Sequence, residues 1–334
     1  MSSLGFDPGP GLLDSRLTEE LRAGLDAVEV LLRDSLKSEY PFVTETSRHL
    51  VDAGGKRFRP MLVLLAAQFG PNPQAAGVIP AAVVCEMTHL GTLYHDDVMD
   101  EATMRRGAVS ANSRWGNTIA ILTGDFLFAR ASDLLADLGP ECVRIQARTF
   151  ERLCTGQIKE TVGPGEQDDP LAHYLSVVAD KTGSLIATCA RFGGMLSGAD
   201  EQVVEQLSRF GERIGIAFQL SDDLLDVAST SEESGKTPGT DLREGVPTLP
   251  VLHALESKDP ADQRLHELLR GDLDDDTRHP EALELLRAHP AMESARADVR
   301  AAADDARRVL VALPDMPARA LLEFLCDVVV DRSN

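Results

Sequence analysis

Apolar residues recur at intervals of three and four along most of this chain, which is the spacing of amphipathic helices. The pattern predicts helices over 18–37, 59–70, 77–100, 117–138, 141–160, 171–197, 201–227 and 316–331. Alternating β-branched runs are few, and aromatic residues make up only 4% of the chain. Segments rich in Gly, Pro or Ser interrupt the pattern at 1–11, 70–74, 163–170 and 228–247. The sequence therefore predicts an all-α protein.

The chain shows no linker long enough to separate two domains and no internal repeat of fixed period. We therefore predict one large helical bundle over 1–334, with long helices around a deep central cavity and a flexible segment at 1–15. The polar, Gly-rich stretch 228–247 directly follows an acidic motif. It is either a generic surface loop or a lid that closes over substrate.

The net charge of −21 and the pI near 4.7 argue against nucleic acid and anionic membrane as electrostatic partners. Five scattered cysteines without a CxxC pair predict reduced thiols, with neither a disulfide framework nor a zinc site. The N-terminus lacks the pattern of a secretory signal, and no uncharged apolar run approaches 20 residues. We expect a cytoplasmic protein whose membrane association, if any, is loose.

Two copies of the pattern Asp-Asp-x-x-Asp stand far apart in strongly apolar helical sequence: Asp96, Asp97 and Asp100, and Asp222, Asp223 and Asp226. Residues four apart share a helix face, so each copy crowds two carboxylates together. Hard oxygen ligands at this density suit Mg²⁺ together with substrate phosphates. Other acidic pairs, at 168–169 and within 274–276, lie in polar surroundings and are predicted to be solvated surface. Two such faces across one cavity would form a metal clamp for a diphosphate.

Basic residues occur at two places, one well before the first acidic motif and one directly after it. Lys56, Arg57 and Arg59 follow a diglycine at the start of a predicted helix, where anions are favoured. A solvated basic turn is an equal alternative for this cluster alone. Arg105 and Arg106 follow the acidic motif directly and suggest that metal and arginine grip neighbouring phosphates.

Five further polar residues occur in helical or lid sequence. Lys181 and Thr182 interrupt a predicted helix, and Lys236 lies in the candidate lid; all three have an ordinary surface residue as their alternative. His89 and Gln219 precede the two acidic motifs on apolar helices. A core histidine is the usual interpretation of such a position, but His89 lies seven residues before Asp96 on about the same face, which favours a substrate-facing role.

Taken together, these motifs resemble those of the trans-isoprenyl diphosphate synthases, or polyprenyl synthetases. The resemblance runs in order from about Gly54 to Leu252 and includes GGKRFRP, LYHDDVMDEATMRRG, GDFLFARA, TGQIKE, DKTGSL, FQLSDDLLD and SGKTPGTDLREG. It implies an all-α fold with a deep central cavity, dependence on Mg²⁺ (three ions per active site, with Mn²⁺ as a substitute) and a homodimer.

The resemblance also implies roles for individual residues. Asp96, Asp100 and Asp222 match Mg²⁺ ligands that hold the allylic diphosphate, with Asp97, Asp223 and Asp226 as supporting acids. Residues that match contacts to the same diphosphate are Arg105, Lys181 and Lys236. Those that match the pocket for isopentenyl diphosphate are Lys56, Arg59, His89 and Arg106. Thr182 and Gln219 match positions near the reacting carbons. One departure is clear: Val246 stands where many members have a lysine.

The activity so implied is Mg²⁺-dependent condensation of isopentenyl diphosphate with an allylic diphosphate, farnesyl or geranylgeranyl diphosphate as starter. Metal ions stabilise the leaving diphosphate, and the double bond of isopentenyl diphosphate attacks the allylic cation. A terpene cyclase is disfavoured by the complete second motif and by GGKRFRP. A non-catalytic partner subunit is disfavoured because both acidic motifs are complete. An acidic helical scaffold that binds divalent ions is the remaining alternative.

Product length is predicted from the helix that carries the first acidic motif. In the family, bulky residues four or five positions before its first Asp stop growth near the farnesyl stage. Here those positions and the turns before them are small: Thr92, Gly91, Thr88 and Cys85. Eleven residues at about 1.5 Å each give roughly 16 Å of open wall. We expect a product of six to about ten isoprene units, of the kind used for quinone tails and released with help from membrane or lipid, with a C15–C20 product as the alternative.

Overall fold

A computed structural model of the chain describes residues 15–228, 238–273 and 277–332. The prediction of an all-α protein is confirmed. The longer helices are α1 (Ser15–Ser35), α2 (Pro41–Asp52), α3 (Phe58–Ala67), α4 (Val78–Met99), α6 (Asn117–Leu138), α7 (Pro140–Val162), α8 (Pro170–Val178), α9 (Ser184–Leu196) and α10 (Glu201–Ala228). Shorter elements and the C-terminal helices are α5 (Ala111–Trp115), α11 (Thr240–Arg243), α12 (Leu249–Glu256), α13 (Gln263–Leu269), α14 (Arg278–Ala288), α15 (Ala291–Leu310) and α16 (Pro317–Asp331).

Each predicted segment coincides with helix to within a few residues, but α2, α14 and the 20-residue α15 were not among the predicted segments. The periodicity also missed a turn inside one segment. The segment predicted as one helix over 171–197 is α8 and α9 joined by a π-helical turn, Ala179–Gly183. The apparent interruption at Lys181 and Thr182 is therefore a wider helical turn and not a loop. π turns inside helices are rare and frequently mark functional positions.

The chain divides into two compact units. One comprises 1–150, 185–211 and 313–321; the other comprises 151–184, 212–312 and 322–334. The division interrupts α7, α10 and α16, so neither unit is a continuous stretch of chain. The predicted single domain around a central cavity stays a prediction, as does the flexibility of 1–15, since residues 1–14 lie outside the described part of the chain.

In the first unit, α4 packs closely on α6. The two helices approach through glycines: a Cβ built on Gly124 would lie 2.3 Å from His95 Nε2, and one on Gly91 would lie 2.9 Å from the ring of Phe128. Most of α4 before the acidic motif is buried on all sides, which explains why its sequence is apolar around the whole helix. This packing fixes the orientation of the helix that ends in the first acidic motif.

A short hairpin follows that motif, although the sequence predicts no strand there. Met104–Arg105 pairs antiparallel with Ala108–Val109. The two residues between the strands, Arg106 and Gly107, have φ angles of 53° and 75°. Such angles are typical of a tight hairpin turn, where glycine is common and arginine is not. The hairpin presents Arg105 and Arg106 beside the end of α4.

In the second unit, the end of α7, α8, the π turn and the last part of α10 provide the polar residues considered below. Asp169, predicted as solvated surface, is exposed and also caps α8 by accepting the backbone N–H groups of Leu171 and Ala172. Pro170 occupies the first helical position, where its missing N–H has no consequence. Residues 274–276 lie outside the described residues.

Candidate active site

The carboxylates of the first acidic motif separate into one buried acid and two accessible ones. Asp97 is fully buried, whereas the side chain of Asp100 is 40% exposed and Asp96 is half-buried. Asp100 is the residue that ends α4, and its N–H donates to Asp96 O at 2.8 Å. Acids at a helix C-terminus meet the negative end of the helix dipole, so the pair is electrostatically unfavourable without a cation.

Arg105 provides positive charge at this motif. Its Nε donates to Asp97 Oδ1 at 2.5 Å, and its Nη2 lies 4.0 Å from Asp100 Oδ2. Burial raises the pKa of Asp97, and the charge of Arg105 partly offsets that effect. Asp97 Oδ2 is buried and has no hydrogen-bond partner. Asp97 is therefore a support that holds Arg105, and Asp96 and Asp100 are the motif's accessible carboxylates.

The basic cluster lies around a buried acid that the sequence interpretation missed. Glu86 is 2% exposed and accepts from Arg57 Nη1 at 3.3 Å, while Arg106 Nη2 lies 3.9 Å away. Arg57 also pairs with Glu29 and donates to Gly54 O and Val51 O. Its guanidinium is thus fully engaged, which gives Arg57 a structural role. Glu86 was detectable as a lone acid in an apolar helix ten residues before Asp96.

Backbone strain accompanies this cluster. Arg57 and Arg106 adopt φ angles of 49° and 53°, conformations that side chains other than Asn and Asp seldom take. Gly55 has a φ of 145°, and a Cβ there would lie 2.7 Å from Arg57 Nη1 and 2.8 Å from Arg106 Nη1. The diglycine therefore allows two arginines to approach the backbone closely. Arg106 donates to Leu50 O at 3.0 Å and to Gly54 O.

His89 lies within the electrostatic reach of these arginines. Burial lowers the pKa of His89 well below its usual value, and Arg59, Arg106, Arg105 and Arg57 lower it further. The imidazole is therefore neutral at physiological pH. Of the predicted pocket residues, Lys56 is exposed and Arg59 is half-buried with an unpaired Nε. Arg59, His89, Arg105 and Arg106 are thus brought together in the first unit.

The second acidic motif has three distinct environments. Asp222 Oδ1 accepts from Arg332 Nη2 at 2.5 Å, and the Arg332 guanidinium lies 4.8 Å from the ring centre of Phe218. Asp226 accepts the backbone N–H groups of Thr240 and Asp241 at 3.2 and 3.1 Å. Asp226 thus anchors α11, and Asp222 is the more accessible carboxylate, here paired with arginine.

Asp223 is buried and belongs to a hydrogen-bonded series. Tyr174 OH donates to Asp223 Oδ2, Gln219 Nε2 donates to Asp223 Oδ1 at 2.8 Å, and Thr182 Oγ1 donates to Gln219 Oε1 at 2.9 Å. Burial raises the pKa of Asp223 to about 6, and the two hydrogen bonds limit the rise. Burial and the Asp223 charge raise the pKa of Tyr174 well above its usual value, so the phenol keeps its proton.

The π turn is held from α7. Arg152 and Lys159 donate to the two oxygens of Asp180 at 2.8 and 2.7 Å, and these bonds lower the pKa of that carboxyl against the effect of burial. A Cβ on Gly156 would lie 2.8 Å from Lys181 N, so glycine permits the approach. Lys181 pairs with Glu160. Lys236 lies outside the described residues, as does the rest of 229–237 in the candidate lid.

The predicted chain-length residues are more enclosed than an open wall. Cys85, Thr88 and Gly91 are buried, and Thr88 Oγ1 accepts from Gln146 Nε2 at 2.7 Å. The ring of Phe128 packs on Gly91, and its centre lies 4.5 Å from that of Phe150. Thr92 is half-buried. The expectation of small side chains along α4 holds, but an aromatic ring from α6 stands beside them.

The whole chain was compared with known proteins. Residues 40–286 match the model of the polyprenyl synthetase family. The chain belongs to the polyprenyl synthetase family. This makes it a prenyltransferase, as predicted.

The relatives differ in the product that their names give. A nonaprenyl diphosphate synthase of Mycobacterium tuberculosis is 52% identical over 324 residues, covering 97% of each chain. A geranylgeranyl pyrophosphate synthase from Corynebacterium glutamicum, complexed with calcium and isoprenyl diphosphate, has a TM-score of 0.86 and 45% identity, covering 96% of this chain and 98% of that one. A decaprenyl diphosphate synthase from Rhodobacter capsulatus has a TM-score of 0.87 and 36% identity, covering 96% and 99%.

The donor set of this synthetase fits a hard divalent ion. Divalent metal dependence is a family property. No group of three or more His, Cys, Asp or Glu residues in the described ranges forms a ready-made metal cage. Each acidic motif instead presents one or two accessible carboxylates, which suits an ion that keeps waters and completes its shell with phosphate oxygens. Of the helices in these ranges, none is long and apolar enough to cross a membrane.

Proposed function

We propose that this prenyltransferase condenses isopentenyl diphosphate with an allylic diphosphate to give an all-trans polyprenyl diphosphate of about C30–C50. The observation that carries the proposal is the environment of the accessible acids. Asp96, Asp100 and Asp222 stand near helix C-termini, and arginines lie at the motifs to which they belong. A divalent ion would bind these acids, and a diphosphate would bind these arginines, more strongly than the acids and arginines bind each other.

Mg²⁺ is the cofactor that we assign to these acids. Asp96 and Asp100 would hold it at the first motif, and Asp222 would hold it at the second, with three ions in total. Bound Mg²⁺ neutralises the diphosphate as it leaves. The remaining acids act through the protein: Asp97 orients Arg105, Asp223 orients Gln219, and Asp226 anchors α11. The calcium in the Corynebacterium glutamicum structure supports a hard divalent ion.

The basic residues bind the two diphosphates. We assign Lys56, Arg59, His89 and Arg106 to isopentenyl diphosphate, because the neutral imidazole lies among arginines held in fixed positions by Glu86 and backbone carbonyls. Arg105, Lys181 and Lys236 are assigned to the allylic diphosphate. Fixed guanidinium groups lose little entropy on binding, and they contact phosphate with two donors.

Thr182 and Gln219 act at the reacting carbons. The Thr182 hydroxyl donates its proton to Gln219, so the lone pairs of Thr182 Oγ1 remain for positive charge that develops on the allylic carbon. The π turn fixes this hydroxyl through the bonds that Arg152 and Lys159 make to Asp180. The proton lost from isopentenyl diphosphate passes to the departing diphosphate, so none of these side chains is assigned as the base.

Product length follows from Cys85, Thr88, Gly91 and Thr92, whose small side chains add no bulky group along α4. The names of the Mycobacterium and Rhodobacter relatives support a long product. A C20 product is the second candidate, because the Phe128 ring stands against Gly91 and a geranylgeranyl synthase is 45% identical.

A homodimer is the proposed assembly. The whole of α6 belongs to the first unit. On this helix, Ile121 is 42% exposed and Leu122 is 57% exposed. Adjacent exposed aliphatic side chains suit a contact with a second copy. Sedimentation equilibrium of the wild type and of Leu122→Asp measures this: the wild type should have twice the mass of the chain, and the variant should dissociate.

The test of the activity is incorporation of radiolabelled isopentenyl diphosphate into organic-extractable product with farnesyl or geranylgeranyl diphosphate as starter. Incorporation should require Mg²⁺, should stop with EDTA and should return with excess Mg²⁺. Diphosphate release should equal incorporation. No incorporation with either starter, with binding of Mg²⁺ retained, would leave the acidic scaffold as the better account.

A further inference from the structure

Thr182, Gln219, Asp223 and Tyr174 form a hydrogen-bonded series in the second unit. The series crosses three elements, since Tyr174 is on α8, Thr182 is in the π turn, and Gln219 and Asp223 are one helical turn apart on α10. Asp223 is 5% exposed and Tyr174 is 9% exposed. No part of the proposed chemistry above uses Tyr174.

The direction of each bond follows from the chemistry of one member. A carboxylate only accepts hydrogen bonds, so Asp223 requires a donor on each oxygen. Tyr174 OH donates to Oδ2, and the amide nitrogen of Gln219 donates to Oδ1 at 2.8 Å. With its nitrogen committed to Asp223, Gln219 must present its carbonyl oxygen to Thr182, 2.9 Å away. Thr182 must then donate.

We propose that Tyr174 is a positioning residue that, through Asp223, fixes the amide orientation of Gln219 and thereby keeps the lone pairs of Thr182 available to the reacting carbon. The part of this inference that concerns catalysis rests on the proposed function. Tyr174 itself touches neither substrate nor metal in this account. The alternative is that the Tyr174 hydroxyl only stabilises the fold.

Burial explains why the effect depends on Tyr174 in particular. Asp223 sits in a desolvated environment, where an unpaired carboxylate oxygen is unfavourable. Without the phenol, the Gln219 amide and Thr182 hydroxyl are no longer held in one arrangement, because Asp223 draws other donors. When the carboxylate turns, the Gln219 amide that donates to it moves with it, and Thr182 loses the acceptor that keeps its hydroxyl proton away from the developing cation.

The kinetic test is a double-mutant cycle on kcat. Tyr174→Phe should lower kcat about tenfold and leave the KM of both diphosphates within twofold. In a Gln219→Ala background the same substitution should change kcat by less than twofold, because the residue through which it acts is gone. Tyr94→Phe is the matched control, since Tyr94 is also buried and its hydroxyl also makes hydrogen bonds, to Thr46 O at 2.6 Å and from Leu50 N at 3.2 Å. Tyr94→Phe should change kcat by the same factor in the wild type and in the Gln219→Ala background.

A readout that needs no activity accompanies the cycle. In protein labelled with ¹⁵N-glutamine, the Gln219 side-chain amide signals are assigned by their loss in Gln219→Ala. Tyr174→Phe should shift these signals, and Tyr94→Phe should leave them in place. Two results would overturn the positioning role of Tyr174: amide signals that do not move, or a Tyr174→Phe effect on kcat that is as large in the Gln219→Ala background as in the wild type. Shifted signals in a protein that makes no prenyl diphosphate would overturn the proposed function and the catalytic part of this inference, while leaving the hydrogen-bonded series.

Discussion

Arg332, the residue that follows α16, donates through Nη2 to Asp222 Oδ1 at 2.5 Å. The arginine therefore occupies an oxygen that we assign to Mg²⁺, and it also covers the ring of Phe218. Both partners are partly exposed, with side-chain exposures of 28% and 39%, so the pair is a modest one, worth about 1 kcal/mol or less. An arriving divalent ion must displace it.

Arg332→Gln should accordingly lower the Mg²⁺ concentration for half-maximal activity by about twofold to fivefold, because the competing cation is removed. Initial rates over a Mg²⁺ titration measure this. Arg307→Gln is the control, since Arg307 pairs with Asp327 elsewhere in the same unit. A rise in the Mg²⁺ requirement would instead indicate that Arg332 contacts the bound diphosphate.

Asp96→Ala and Asp222→Ala should each reduce kcat by at least about a hundredfold, because each removes stabilisation of the leaving group. The fold should survive, since each substitution removes a charge near a helix C-terminus, where acids are unfavourable. Steady-state kinetics with Mg²⁺ near its wild-type requirement, together with circular dichroism, check both points. Asp133→Ala on the surface of α6 should retain full activity. Near-native rates in either motif variant would remove that acid from the metal site.

Asp223→Asn should stabilise the metal-free protein at pH 8 while lowering kcat. The pKa of Asp223 is about 6 in the folded protein against a reference value of 3.8, so the folded state binds the proton more tightly. The free energy of unfolding therefore falls by up to about 3 kcal/mol as the pH rises from about 4 to about 6. It stays at the lower value at higher pH. Asparagine removes this penalty.

Urea unfolding with EDTA at pH 5 and pH 8 tests this sign. The gain from Asp223→Asn should be about 1–3 kcal/mol at pH 8 and about half as large at pH 5. Asp137→Asn, at an exposed position of α6, should show no such dependence on pH. A stability loss at pH 8 would mean that the carboxylate's hydrogen bonds outweigh its desolvation.

The sequence predicted the residue types at the site better than their partners. Helical periodicity identified α4 and α10, and the spacing of the acids showed which pairs share a face. The sequence could not show that Asp97 and Asp223 are buried. Their burial depends on Arg105, which lies in an unpredicted hairpin, and on Tyr174, which lies in a separate helix. Arg57 carried no sign that it is engaged by Glu29 and Glu86, since ion pairs between distant segments leave no local pattern. Phe128 was equally hidden, because it approaches Gly91 from α6.

Phe128 also changes the prediction for product length. Thr92→Phe should shorten the product toward C15–C20, because a ring would fill the space beside α4, whereas Gly91→Phe would collide with Phe128. Phe128→Ala should lengthen the product by at least one isoprene unit. Reversed-phase chromatography of the dephosphorylated products measures both shifts. Phe42→Ala removes a ring that packs edge-to-face against Trp115 and should leave the product length unchanged. Equal products from Thr92→Phe and the wild type would mean that the chain does not pass along α4 at this turn.

The most direct test of the proposed function is the size of the wild-type product. Purified protein is incubated with Mg²⁺, farnesyl diphosphate and an excess of isopentenyl diphosphate, and the products are sized by mass spectrometry at early and late times. We predict intermediates that grow by five carbons and a final distribution between C30 and C50. A product that stops at C15 or C20 at all times would contradict the proposed long product, and the absence of any five-carbon addition would contradict the activity.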